Sequence, residues 1–437
     1  MIKRLFYSNT SWSLLSNGIT AALGFVNLGF IAHQYSIADA GQWFMLLTVY
    51  TLVEMLRSGW VQTPFVRYYV VAGNDRERSG LVAAAWQLLL LFTLIISVAG
   101  LPVSYFFSWD NTAFSLAARF AILWLFSALP FQLLQWQLQA RSQFKKLAVI
   151  KIVFALTFTL LLLFQLKLQF GIRDVALYYA LLQFGMGITG LALGWLHVGR
   201  WQTKLGVERK KLSAYGRYSM LTMVASTLLR SSDQFIIASW LGPAAVAVYA
   251  VPQKLIEAIE IPVRSFASVA VPNATSLWQH GKIKELRIFF YRQCGFLTAL
   301  ILPLLVVFLG FPDLVVHLLG GDKYAGSSLL LQIFCFYAAI IPLDRYCGVL
   351  LDAGNRPEKN TLKVIIMLAT NILFDFVALW AGTGLYGVAA VSTLTFLMGA
   401  VVGWIQLKDI LKVFKAGLFW KEGVVNSVRI IRGLKTI

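Results

Sequence analysis

Twelve stretches of this chain, most of them roughly 20 residues or longer, are almost wholly apolar, and short polar connections separate them. They fall at about 11–33, 41–66, 81–107, 113–140, 147–165 and 175–197, and, after a basic stretch at 199–217, at 218–240, 247–273, 288–310, 325–351, 362–381 and 385–407. Runs of that length match the hydrocarbon thickness of a bilayer, where a backbone without water must satisfy its own hydrogen bonds and therefore folds as helix. Composition agrees: of 437 residues 59% are hydrophobic and only 13% charged, with mean hydropathy +0.72, against about 25% charged in an ordinary soluble domain. The fold expected is an all-α integral membrane protein of twelve transmembrane helices, with little length left over for a soluble catalytic domain.

The charge excess has two components. Lys and Arg number 38 against 19 Asp and Glu, a formal +19, which in a soluble protein would suggest nucleic acid. With the N-terminus placed in the cytoplasm, 27 of the 38 fall in alternate connections and the two termini, and only Lys167, Arg173 and Lys323 fall on the opposite face. A nucleic-acid patch would not alternate with every second loop, so the excess follows the positive-inside rule and no nucleic-acid partner is expected. Lys3 and Arg4 precede the first apolar run without a small-residue cleavage pattern, which reads as a retained first span.

The basic stretch divides the chain into an N-terminal lobe (1–198), a linker (199–217), a C-terminal lobe (218–407) and a basic tail (408–437). Shifting the first half by 206 positions lays Asn27 on Asp233, Ile31 on Ile237, Ala32 on Ala238, Trp43 on Tyr249 and Glu54 on Glu260. Six spans per half make both halves enter from the same side, so the repeat is parallel, two lobes around a central cavity, as in transporters.

Eight basic residues fall within spans, and each charge at membrane depth needs a partner or water. Glu54/Arg57, Arg230/Asp233 and Glu260/Arg264 are spaced i, i+3 or i, i+4 and can neutralise one another along a helix face. Lys151 and Arg292 can snorkel to a nearby end. Arg119, Lys254 and Arg345 have no evident local acid beyond Asp344, which points elsewhere. The candidate anion-binding set is therefore Arg57, Arg119, Arg230, Lys254, Arg264 and Arg345, lining a cavity in which guanidinium forks suit a pyrophosphate. Glu54, Asp233, Glu257, Glu260 and Asp375 are structural or coupling acids, the latter to a proton or sodium gradient.

Signatures of catalysis are missing: the chain has no nucleotide-phosphate loop, HExxH or DxD pair, and no metal site, cofactor or enzyme activity is expected. Cys294, Cys335 and Cys347 all lie in apolar runs and form no disulfide framework. His33, His197, His280 and His317 stand near span ends, suited to interfacial anchoring. Gly190/Gly194 and Gly399/Gly403 fit close helix packing, and Pro64, Pro130, Pro252, Pro262, Pro303 and Pro342 are positions for kinks. The tail mixes Lys and Arg with apolar residues, as helices lying on an anionic leaflet do.

Particular runs carry a family likeness. Leu229-Arg230-Ser231-Ser232-Asp233-Gln234-Phe235-Ile236-Ile237, followed by Leu241-Gly242-Pro243 and Val248-Tyr249, resembles the start of the second lobe in polysaccharide export flippases of the multidrug/oligosaccharidyl-lipid/polysaccharide superfamily. Leu351-Asp352-Ala353-Gly354-Asn355-Arg356-Pro357, Asn371-Ile372-Leu373 and Gly384-Leu385-Tyr386-Gly387-Val388-Ala389-Ala390 resemble the end of that family's tenth span through its twelfth, and 38–44 matches more loosely. The resemblance implies a flippase in the bacterial inner membrane, both termini cytoplasmic, moving undecaprenyl-pyrophosphate-linked oligosaccharide units by alternating access for O-antigen or related glycans. Its partners would be the lipid-linked oligosaccharide and inner-membrane lipids, with a polymerase and a chain-length regulator as candidate protein partners. Twelve spans rather than fourteen favour the O-unit type over the peptidoglycan-precursor type.

The rival within this fold is a cation-coupled multidrug antiporter, which needs acids in its cavity, often in the first helix. The first span here holds Asn17 and Asn27 but no Asp or Glu. An integral-membrane glycan polymerase or ligase would bring a sizeable external loop, whereas the longest external connection expected is 311–324.

Overall fold

In the computed structural model every long apolar run is helical, since helix is the one local structure that pairs each backbone N–H and C=O within a single segment. The structure describes residues 9–107, 113–199, 206–354, 356–412, 417, 419–421 and 423. Lys3, Arg4, Arg200, Lys204, Asn355, Lys415, Arg429, Arg432 and Lys435 lie outside the described residues, as do the side chains of Arg67, Lys167, Arg217 and Pro357. The helices are α1 (Asn9–Gln34), α2 (Ile37–Val71), α3 (Asp75–Phe107), α4 (Ser115–Ser127), α5 (Leu129–Ala140), α6 (Phe144–Leu168), α7 (Ile172–Ala192), α8 (Gly206–Leu241), α9 (Pro243–Gln279), α10 (Ile283–Gly310), α11 (Pro312–Gly320), α12 (Ser328–Ala353), α13 (Pro357–Trp380), α14 (Gly384–Gln406) and α15 (Lys408–Leu411).

Among the described residues, nine helices are long and apolar enough to cross a membrane, and α4 with α5 forms a tenth, broken crossing. The remaining two of the twelve spans are α8 and α9, whose charged residues lower their apolarity. The fourth span is bent by 47° between Ser127 and Leu129, where Pro130 occupies the first turn of α5 and has no N–H to donate into the preceding turn. Pro64, Pro303 and Pro342, by contrast, lie inside uninterrupted helices.

Several expectations need correction. The seventh helix begins at Gly206, so half of the supposed linker is helical. The sixth ends at Ala192, short of 197, and residues 193–199 are irregular. The connection after α10 is not a plain loop, because Pro312 opens α11 and a 3-10 helix follows at Asp322–Ser327. Lys363, sorted above with the cytoplasmic loops, lies in α13 and is 3% exposed. Gly194 is open, at φ +65°, and does not pack. The described part of the tail is not merely laid on a surface, since a Cβ at Gly295 of α10 would overlap the Phe419 carbonyl and stand 2.9 Å from the Cα of Gly423.

The chain forms two compact units, Met1–Ala247 and Val248–Ile437. Within the first, α2 and α8 run antiparallel along a seam of small residues. A Cβ added at Gly41 would overlap the Pro243 carbonyl, one at Gly216 the Trp60 carbonyl, and one at Gly59 would stand 2.6 Å from the Cα of Met220. Thr48 donates to Gln234 between these backbones, and Trp60 Nε1 donates to Ser213 Oγ at 3.1 Å. Small residues matter because lipid gives helices no hydrophobic reason to associate, leaving close contact and hydrogen bonds to hold them. In the second unit α14 packs on α12 and α13 in the same way: a Cβ at Gly403 would stand 2.7 Å from that of Cys347, and one at Gly399 3.0 Å from Asp344 Oδ1.

The three apolar pairs of the 206-residue shift are buried alike, Ile31 1% and Ile237 0%, Ala32 0% and Ala238 6%, Trp43 3% and Tyr249 0%, whereas Asn27 and Glu54 are half-buried against the buried Asp233 and Glu260.

Substituting the seam tests this account. Gly59→Ala and Gly216→Ala should each lower stability by about 1–3 kcal/mol through overpacking, measured by thermal unfolding in nanodiscs. Gly24→Ala, with nothing within 4 Å, should be neutral or slightly stabilising.

Candidate functional site

Arg57 on α2 is wholly buried, and all five of its N–H donors are used. Nε donates to Glu54 Oε2 at 3.1 Å and one terminal nitrogen to the same oxygen and to Gln132 Oε1 at 3.0 Å. The other terminal nitrogen donates to Thr93 Oγ1 at 2.9 Å and to the Leu125 carbonyl at 2.7 Å. That carbonyl sits three residues before the break between α4 and α5, where the helix ladder ends and C=O groups become available. Gln132 and Gln183 both donate to the Tyr50 hydroxyl, at 3.3 and 3.4 Å. Trp43, Tyr50, Trp124 and Tyr179 pack beside this polar centre, with Trp124 and Tyr179 stacked at 4.3 Å between centroids.

The expected Glu54/Arg57 pair is thus present, but all five Arg57 donors are committed, to four protein acceptors. Arg119 on α4 and Arg230 on α8 are exposed, whereas Asp233, one turn beyond Arg230, is 4% exposed. At the basic end of this unit Arg141 is held by Tyr69 Oη at 3.2 Å, the Trp195 carbonyl at 3.3 Å and Gln137 Oε1 at 2.9 Å. Burial, with the Arg141 charge, lowers the His197 imidazole below its usual value.

The second unit carries a charged stripe on α9. Lys254, Glu257, Glu260 and Arg264 recur at helical spacing on one face. Lys254 does have a local acid, contrary to expectation: its Nζ lies 2.8 and 2.7 Å from the Glu257 carboxylate oxygens. Glu260 is 4% exposed and accepts the Tyr337 hydroxyl, while Arg264 is exposed. On α12 Arg345 is exposed, and its neighbour Asp344 pairs with Lys363 at 2.7 Å. Asp375, fully buried, accepts from Asn371 Nδ2 at 2.8 Å.

Sequence reasoning missed Lys363, Gln132, Gln183 and Tyr337. The glutamines gave a signal, as uncharged polar residues inside apolar runs. Lys363 gave none, because a lysine two residues into a span reads as loop.

Apart from the buried Arg57 and Lys363, whose partners are Glu54 and Asp344, an inversion emerges among the described span residues: Arg119, Arg230, Arg264 and Arg345 are exposed, whereas Asp233, Glu260 and Asp375 are 4% exposed or less. Since exposed charge at membrane depth is costly against lipid, it belongs beside water. Such surfaces attract anions.

The Arg57 centre makes a stability prediction. Arg57→Met, which strands Glu54, should cost about 3–5 kcal/mol, while Glu54→Gln/Arg57→Met together should recover much of it, read by thermal unfolding in nanodiscs.

Comparison with known proteins is consistent with this geometry. A curated membrane protein of Methanocaldococcus jannaschii is 24% identical over 197 residues, 45% of this chain but only 38% of that protein's length. Similar solved structures include the lipid II flippase MurJ in an inward closed conformation, 13% identical, covering 96% of this chain and 91% of that one with TM-score 0.66. Another is an inward-facing multidrug resistance MATE family transporter of the MOP superfamily, 13% identical over 91% of this chain and 96% of that one, TM-score 0.69. A third, from Pyrococcus furiosus, is a MOP superfamily transporter described by the reverse polarity of its binding pocket, 15% identical over 93% and 94%, TM-score 0.57. These likenesses establish a shared twelve-helix fold, and at residues 6–278 the sequence matches the model of one family. The chain belongs to the polysaccharide biosynthesis protein family, and its long apolar helices make it a multi-pass membrane protein.

Proposed function

We propose that this protein flips undecaprenyl-pyrophosphate-linked oligosaccharide units from the cytoplasmic to the periplasmic leaflet of a bacterial inner membrane, for O-antigen or related glycan assembly. The observation that carries the reading is the inversion within the spans, exposed arginines beside buried acids. A pyrophosphate calls for cations with directional donors, and Arg119, Arg230, Arg264 and Arg345, with Lys254, are the candidates to provide them. Arg57 serves as a positioning residue, since its donors are already engaged. The reading includes alternating access by the two lobes, 1–198 and 218–407. The acids Asp233, Glu257, Glu260 and Asp375 are the groups available for proton or sodium coupling, and no bound cofactor enters the cycle.

The inversion also separates this reading from a multidrug antiporter, whose cationic substrates would be repelled by accessible arginines. A deletion strain should accumulate lipid-linked oligosaccharide on the cytoplasmic leaflet and lose surface glycan. Normal glycan with altered resistance to cationic dyes would favour the antiporter instead. Arg230→Ala, Arg264→Ala and Arg345→Ala should each reduce flipping in proteoliposomes about ten- to a hundredfold, the loss expected when a charged hydrogen bond worth about 1.5–3 kcal/mol is removed. Unchanged flipping and glycan complementation on replacing all six basic positions would sink the assignment.

A further inference from the structure

A cavity lies outside the charged spans, at the end of the first unit opposite its basic connections. It opens between the α1–α2 and α6–α7 turns, with a volume of about 800 Å³, within the range of small-molecule sites. Its walls include Gln34, Asp39, Gln169, Phe170, Arg173 and Asp174. The floor is closed by Tyr35, 7% exposed, whose hydroxyl donates to the Phe170 carbonyl at 3.0 Å and ties the two turns together. Gln169 holds φ at 49°, a left-handed conformation that non-glycine residues rarely adopt.

The chemistry of this lining is specific. Asp39 and Asp174 each spend one carboxylate oxygen on a helix start, Oδ2 of Asp39 accepting Ser36 Oγ at 2.6 Å and Oδ2 of Asp174 accepting Gly171 N at 2.9 Å. Their Oδ1 atoms, two glutamine amides and the exposed Arg173 remain to address a ligand, beside the Phe170 ring. Two carboxylates against one guanidinium repel phosphate, so this is not a second pyrophosphate site. Carboxylates, amides and a guanidinium around an aromatic face instead match a molecule dense in hydroxyl groups with apolar ring faces. Nor does the fold require these residues. The corresponding turn of the second half, 206 positions on, is Leu241-Gly242-Pro243, and the first turn of α9 carries no acid.

We infer that this pocket is a saccharide-binding site, holding a few sugar rings of the translocated unit on the side to which it is delivered. The choice of ligand rests on the flippase reading, whereas the site itself rests on the lining. It separates the two ends of the substrate, arginines taking the pyrophosphate and this pocket the glycan.

The three native cysteines are buried, so a single Gln169→Cys thiol in reconstituted protein is the accessible one for a membrane-impermeant maleimide. The probes are soluble maltooligosaccharides, chitooligosaccharides and oligouronates. At least one class should slow labelling of Gln169→Cys severalfold without slowing that of Lys323→Cys. Adding Asp39→Asn/Arg173→Ala to Gln169→Cys should abolish the protection, with thermal unfolding verifying that the fold survives. If no class protects, or protection persists in the triple variant, the inference is wrong even where the wild type flips lipid-linked oligosaccharide normally. If protection is seen but the wild type flips no such lipid in proteoliposomes, the flippase reading fails and the saccharide site stands.

Discussion

A charge at membrane depth must be solvated by something, and this molecule is arranged around that constraint. Arg57 meets it with protein alone, drawing acceptors from α2, α3, α4 and α5. One of them, the Leu125 carbonyl, lies at the break in the fourth span, so the bend and the guanidinium are linked features. Lys363 meets it through Asp344 in a slot that a side chain at Gly399 would fill. Arg119, Arg230, Arg264 and Arg345 differ from these in being exposed.

Close packing supplies the rest. Lipid tails are as apolar as leucine, so burying hydrocarbon drives helices together far less than it does in water. The antiparallel α2–α8 seam relies on Gly41, Gly59 and Gly216 for backbone approach, with Thr48–Gln234 and Trp60–Ser213 hydrogen bonds across it. The tail follows the same logic, with Gly295 and Gly423 meeting backbone to backbone.

Under the proposed function, a division of labour between the substrate's two ends would follow from where polarity is placed. A pyrophosphate calls for cations without competing acids, and the spans expose arginines while burying Asp233, Glu260 and Asp375. A glycan calls for mixed donors and acceptors, which the turns at 34–39 and 169–174 offer.

Fold class and most helix positions were legible in the sequence, because a bilayer makes span length nearly independent of tertiary detail. The Glu54/Arg57 pair was legible too, through its i, i+3 spacing. Tertiary structure alone decided that Arg57 is consumed by four protein acceptors, that Lys254 has Glu257, that Lys363 is buried, and that much of the linker belongs to α8. It also brought together Asp39 and Asp174, distant in sequence and individually unremarkable. The physical reason is directional: one-dimensional hydropathy reports how much charge a helix carries, but not which neighbour's acceptors lie within about 3 Å of it.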